Sequence, residues 1–383
     1  MTDVVIALNF NQLIINVMVL FMVLASLDKC FGSHLGLGDQ LAEALATIGP
    51  MCIPMVGIIL ISPLLGSFLL PLVSPLFHLL NADPAMFAGC ILACDMGGYS
   101  LSVTMACSPE AANFSGCILA STLGSVISFT IPVGISMIRQ NYRPYFAVGT
   151  LVGVTTIPIA VVAGGLAAGY HPAMIFWNTL PILLFSAFIA LSLWKAEKAT
   201  IRVFEIFGTF ISAIATAGFA IGVIQELTSV VIIPDLPSVL DGIKVVGSVA
   251  IVLCGAYPLL FFIRKIAWNP IQKLGKLMGI DSAAVSGILG GFANIMPILN
   301  GCNHMSPAGV VVALAFSVSG SCMFGDHLGF VASVNQEMVV PMLLSKLIGS
   351  FTAVPIAMLL CRKGQISNLV AFEPINMKEN LSR

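Results

Sequence analysis

The sequence predicts an all-α polytopic membrane protein, built as an inverted-topology structural repeat. Three observations lead there. Of 383 residues, 58% are hydrophobic and 9% charged, and the mean hydropathy is +1.04. A soluble domain has no way to hide that much apolar surface. Apolar runs of about 20 residues, enough to cross a hydrocarbon layer of about 30 Å, recur along the whole chain. Lys and Arg gather in a few connecting segments, as they do in the cytoplasmic loops of membrane proteins.

The first apolar run, 4–27, is too long for a signal-peptide core and has no basic leader, so it reads as a retained helix. The second, 43–65, is followed by Gly66–Asp83, which has no Lys or Arg. Next comes a broken segment, 84–105, where Asp95, Met96, Gly97 and Gly98 interrupt an apolar run. Run 112–138 ends at Arg139 and Arg143, and run 144–168 at Tyr170 and His171. Run 172–193 is followed by Trp194, Lys195, Lys198 and Arg202, an aromatic anchor beside cations. Run 201–225 leads into the polar stretch Glu226–Asp241, and 244–263 into Arg264, Lys265, Lys273 and Lys276. A second broken segment, 282–303, precedes runs 307–333 and 338–361, and Arg362, Lys363, Lys378 and Arg383 close the chain. The reading is about nine spanning helices plus two re-entrant hairpins, or up to 11 helices if both broken segments cross fully.

The positive-inside rule puts the four basic groups in the cytoplasm, the C-terminus with them, and the N-terminus outside. An internal repeat accompanies this pattern. Asp83 and Asp281, Gly89 and Gly287, Ser108 and Ser306, and Pro109 and Pro307 share one offset of 198 residues. Equivalent loops differ in charge, so the halves face opposite sides, as in secondary carriers. The division is 1–170 for the first repeat, 171–198 for a connecting helix and 199–383 for the second.

An isolated charge at the bilayer centre costs about 2.5–3.5 kcal/mol, so Asp95 calls for a partner. It binds either a cationic group of a substrate or coupling ion, or backbone N–H groups that hold the hairpin tip. Gly97 and Gly98 offer a helix break and open backbone groups. Asp326, in Gly325-Asp326-His327-Leu328-Gly329-Phe330, is the second candidate cation ligand, or else an acid at a wet interface. His327 is a proton relay, a partner of Asp326, or simply a buried side chain with its hydrogen bonds satisfied. Asn294 and Asn300, with Asn303 and His304, suit a substrate hydroxyl or interhelical bonding. Tyr99 follows Asp95 by one helical turn and either flanks an ammonium or packs. Lys346 either neutralises a carboxylate or snorkels outward. No nucleotide loop and no hydrolase triad or metalloprotease motif occurs, so neither an enzyme nor a cofactor is expected. The 10 Cys are scattered, with no Cys-x-x-Cys pair, so neither a metal site nor a disulfide framework is expected. No basic-aromatic patch suggests nucleic acid.

Met86–Tyr99 (MFAGCILACDMGGY) and Phe324–Phe330 (FGDHLGF) are similar to signature segments of the bacterial ethanolamine permease family, EutH, and the stretch Val161–Tyr170 extends the likeness. The resemblance implies ethanolamine uptake across the cytoplasmic membrane by a secondary transporter. The partners it implies are ethanolamine and the lipid bilayer; a homo-oligomer is left open. The rival reading is a Na+- or H+-coupled carrier, or an antiporter, for another small organic cation. A membrane scaffold recruiting partners through its basic segments is a third.

Overall fold

The computed structural model describes residues 2–228 and 230–362. The tail cations Lys363, Lys378 and Arg383 lie outside the described residues. Among those residues the chain is helices joined by turns, with no strand. Eight stretches of helix are long and apolar enough to cross a membrane.

Helix α1 (Thr2–Cys30) ends in a tight turn. There the Asp28 carboxylate accepts the Leu35 and Gly38 N–H groups, each at 2.9 Å. Helix α2 (Leu37–Ala46) then leads into α3 (Ile48–Leu79). The loop expected over Gly66–Asp83 is a helix as far as Leu79. Pro71 and Pro75 remove only single ladder bonds. Phe68, Leu72, Leu76 and Leu79 form one outward stripe, 60–79% exposed, and lipid favours an apolar helix with all its other backbone groups bonded.

The first broken segment forms α4 (Ala85–Ile91) and α5 (Gly98–Met105). One carboxylate closes its base. Asp83 accepts the N–H of Ala85 at 2.9 Å and that of Cys107 at 2.9 Å, so the segment enters and leaves at one place. The second forms α11 (Ser282–Gly291) and α12 (Met296–Gly301). There Asp281 accepts from Ala284 at 3.0 Å, from the Ser306 N–H at 2.9 Å, and from the Ser306 hydroxyl. Both segments are therefore hairpins rather than full crossings.

Between the hairpins run α6 (Pro109–Met137), α7 (Arg143–Ala167), α8 (Pro172–Lys195), α9 (Glu197–Thr228) and α10 (Val239–Met278). Much of α6, Phe114–Gly124 and Val126–Thr130, winds as a π-helix, a form found mostly as short functional insertions. Helix α10 is longer than the 244–263 expected. Arg264, Lys265, Lys273 and Lys276 lie on it rather than in a loop. Lys276, in the last turn, suits the negative end of the helix dipole, and Gly279, at φ +71°, stops the helix.

The hairpins enter from opposite ends of the molecule. The Asp83 N–H donates to Asn178 on α8, just beyond the α7–α8 turn (2.7 Å). Asn303 donates to the Met137 carbonyl (3.1 Å) and accepts the Arg139 N–H (2.9 Å), just before α7 begins. Helix α7 spans the distance between them.

The run 307–333 is not one helix. It is α13 (Pro307–Gly320) and α14 (Asp326–Val334), separated by Ser321–Gly325. The connecting backbone pairs with the second hairpin tip: Cys322 N–H donates to Gly291 O and Phe324 N–H to Phe292 O, both at 2.8 Å. A side chain at Gly325 would place its Cβ 1.8 Å from the Ala293 carbonyl oxygen, so only glycine allows this approach. The last helix is α15 (Val339–Arg362). It packs with α7 and α13 at the centre of the molecule, where α13 is buried from Gly309 to Gly320.

Candidate functional site

The two hairpin tips and the α13–α14 break surround one cavity of about 200 Å³. Asp95 and Met96 come from the first tip, Asn294 and Ile295 from the second. Ser321, Cys322, Asp326 and His327 come from the break. Ser125, Phe129 and Thr130 of α6, with the first turns of α3 around Met51 and Pro54, complete the wall. A water needs only about 10–15 Å³ on this measure, so there is room for a small organic molecule.

Asp95 sits where the chain must reverse. Met96 and Gly98 both donate to the Ala93 carbonyl, and Gly97 lies at φ +89°. A Cβ on Gly97 would fall 1.7 Å from Ile58 Cγ2. The glycines thus shape the tip. The Gly98 N–H is spent on the turn, and neither glycine reaches the cavity wall. The reversal leaves the Asp95 carboxylate facing inward, with Oδ1 buried and without a hydrogen-bond partner. His327 Nε2 lies 3.9 Å from that oxygen, and His327 Nδ1 is likewise unpartnered.

Asp326 is the first residue of α14, where a negative charge meets the positive end of the helix dipole. It accepts from Tyr257 Oη (3.2 Å) and from Asn294 Nδ2. Asn294 is aimed by its own Oδ1, which accepts the Met296 N–H at 3.0 Å. Asp95, Asn294, Asp326 and His327 therefore meet in one place. His327 faces Asp95, not Asp326, because successive residues on a helix point in different directions.

Two other candidates lie elsewhere. Tyr99 sets its ring edge against Phe330, centroids 5.8 Å apart, and is not on the cavity wall. Asn300 is exposed on α12, also away from the wall, because that arm runs back toward the hairpin base. Asn303 fastens the second hairpin to α6, and His304 is exposed. Lys346 neither snorkels nor pairs with a described carboxylate. It is fully buried, and its ammonium donates to the carbonyls of Ser121, Ser319 and Ser321.

Tyr257 was not singled out in the sequence; a lone hydroxyl in the apolar stretch of α10 was the only signal. The gathering of Cys94, Asp95 and His327 was also hidden. Their ligand atoms lie within 4.8 Å of one another and could hold a metal ion, one donor short of a closed zinc site.

The model of the family described as ethanolamine utilisation protein, EutH, matches residues 10–360. The chain belongs to the EutH family. The match takes in both hairpins, the cavity and the α13–α14 break. A protein of Listeria monocytogenes, named probable ethanolamine permease EutH, is 42% identical over 97% of this chain and 100% of its own length. The Salmonella typhimurium protein of the same name is 35% identical over 93% of this chain and 97% of its own. A Bacillus subtilis protein, YxeR, described as uncharacterized, is 39% identical over 90% and 94%. No solved structure matches the chain. With eight apolar spans among its described residues, this EutH-family chain is a multi-pass membrane protein.

Proposed function

We propose that the chain is a secondary transporter that takes up protonated ethanolamine across the bacterial cytoplasmic membrane by alternating access. The unpartnered Asp95 oxygen carries the reading: a buried carboxylate facing a cavity calls for a cation. Ethanolamine is an ammonium with one hydroxyl. Its amine titrates near 10, as a Lys does, so at neutral pH it is charged and crosses lipid poorly. In this reading Asp95 takes the ammonium, while Asn294 and Asp326 take the hydroxyl, which both donates and accepts. The permease names of the relatives support the substrate class.

The mechanism rests on the proposed inverted repeat, 1–170 and 199–383 about the connector 171–198. The hairpins are closed by equivalent carboxylates, Asp83 and Asp281. The next helices are capped by equivalent hydroxyls: Ser108 accepts from Ala111 and Ser306 from Gly309, each at 3.1 Å. Hairpins entering from opposite ends, with their tips on one cavity, suit a site exposed to each side in turn. In the same proposal the N-terminus is outside and the C-terminus cytoplasmic.

The test is uptake of labelled ethanolamine into proteoliposomes. Saturable uptake above the protein-free leak, competed by unlabelled ethanolamine, is expected; uptake no faster than the leak rejects the proposal.

A further inference from the structure

One buried charge takes no part in the proposed binding step. Lys346 lies in the third turn of α15 at 0% exposure. Its Nζ donates to the carbonyl oxygens of Ser121 at 2.5 Å, Ser319 at 3.0 Å and Ser321 at 2.9 Å. An ammonium has three N–H donors, and all three go to backbone. A lysine buried in a membrane protein ordinarily pairs with an acid. Here no Asp or Glu oxygen among the described residues is within 4.0 Å of Nζ.

The carbonyls explain the site. Those of Ser319 and Ser321 stand at the C-terminal end of α13, where the break removes the N–H groups that would have bonded them. That end of a helix carries negative potential. The Ser121 carbonyl comes from the π-wound part of α6. The hydroxyls of Ser319 and of Ser345, the neighbour of Lys346, are also buried without partners. Carbonyls from interrupted helices, converging on one positive charge away from water, are how carriers hold a desolvated Na+.

We propose that Lys346 is a tethered cation: its ammonium fills a monovalent-cation site at the α13 break. The consequence is that transport by this chain needs no Na+. Ser321 is both a ligand of the ammonium and part of the cavity wall, so the lysine also holds the break in the shape that presents Asp326 and His327. The transport consequence rests on the permease reading; the cation site does not, and stability reads it directly.

Purified full-length protein is melted in NaCl and in choline chloride of equal strength. The wild type is expected to melt at the same temperature in both. Lys346→Ala vacates the carbonyls and leaves room for an ion. It should melt lower in choline and recover in NaCl by roughly 3–5 °C, the gain for a site at about 100–1,000 times its Kd in a chain of this length. Lys346→Met fills the space with an uncharged chain and should show no such recovery. Recovery of the alanine variant alone supports the proposal. Equal Na+ responses in both variants overturn it, as does a wild type that melts higher in NaCl or needs Na+ for uptake. An alanine variant that cannot be purified in either salt overturns it too, because Na+ must be able to take the vacated place. A failure of ethanolamine uptake would leave the melting comparison standing.

Discussion

Asp95 is the residue on which the binding proposal turns. Its Oδ1 has no partner, and the nearest basic atom is His327 Nε2 at 3.9 Å. Asp95→Asn keeps the shape and removes the charge. Losing a charged hydrogen bond of about 1.5–3 kcal/mol weakens binding by roughly 10- to 150-fold. Saturable uptake should fall by at least that much while membrane content stays normal; unchanged uptake would remove Asp95 from the site. Tyr257→Phe deletes one of two donors to Asp326 and should cost about 0.5–1.5 kcal/mol, a two- to tenfold rise in the concentration for half-maximal uptake. By contrast, Asn300→Ala should leave transport within about twofold, since an exposed side chain off the cavity changes little.

At the scale of elements, each hairpin depends on the acid at its base. Asp281 lies in the connection before α11, outside the membrane-spanning helices. Burial disfavours its charge, but the Ser306 hydroxyl and the Ser306 and Ala284 N–H groups outweigh that and hold its carboxyl below the usual value. A lowered folded-state value adds stability that is present above the unfolded value, about 3.9, and lost as pH falls through the folded one. Asp281→Ala should therefore cost about 1 kcal/mol, as the loss of an N-cap does, at pH 5–8. In thermal melts the gap to wild type should close only below about pH 4. Gly325→Ala tests the break itself. The backbone must move away from Ala293 or the pairing with the hairpin tip must open, at a cost of about 1–3 kcal/mol. Reduced yield and a lower melting temperature are expected.

For the whole molecule, the proposed sidedness makes a direct prediction. Cys107, beside the base of the first hairpin, and Cys30, at the end of α1, are both exposed. An impermeant maleimide applied to intact cells should label Cys107 and reach Cys30 only after permeabilisation. The opposite pattern would invert the orientation. Two hairpins whose bases lie at opposite ends, and whose tips share one chamber, put the Asp95 carboxylate far from either end, where the proposed ammonium would meet it.

Much of this was legible in the residues. The apolar runs announced the spans, because lipid allows a crossing chain little except helix. Asp95 with Gly97 and Gly98 announced a broken segment, and the 198-residue offset paired Asp83 with Asp281 before either was seen to close a hairpin. The ends of α3 and α10 were not legible, since 66–83 and Arg264–Lys276 read as connecting segments, whereas lipid favours continued helix. What only the tertiary structure decided is which polar groups meet. Sequence periodicity describes one helix at a time, whereas Asp95 finds His327, Asn294 finds Asp326, and Lys346 finds the Ser319 carbonyl across 27–232 residues of chain. Such meetings depend on how helices pack and where their backbones open. The amino-acid order alone therefore determined that the chain is a membrane protein with charges inside it, and packing decided which of those charges face the cavity and which, like Lys346, hold a broken helix in place.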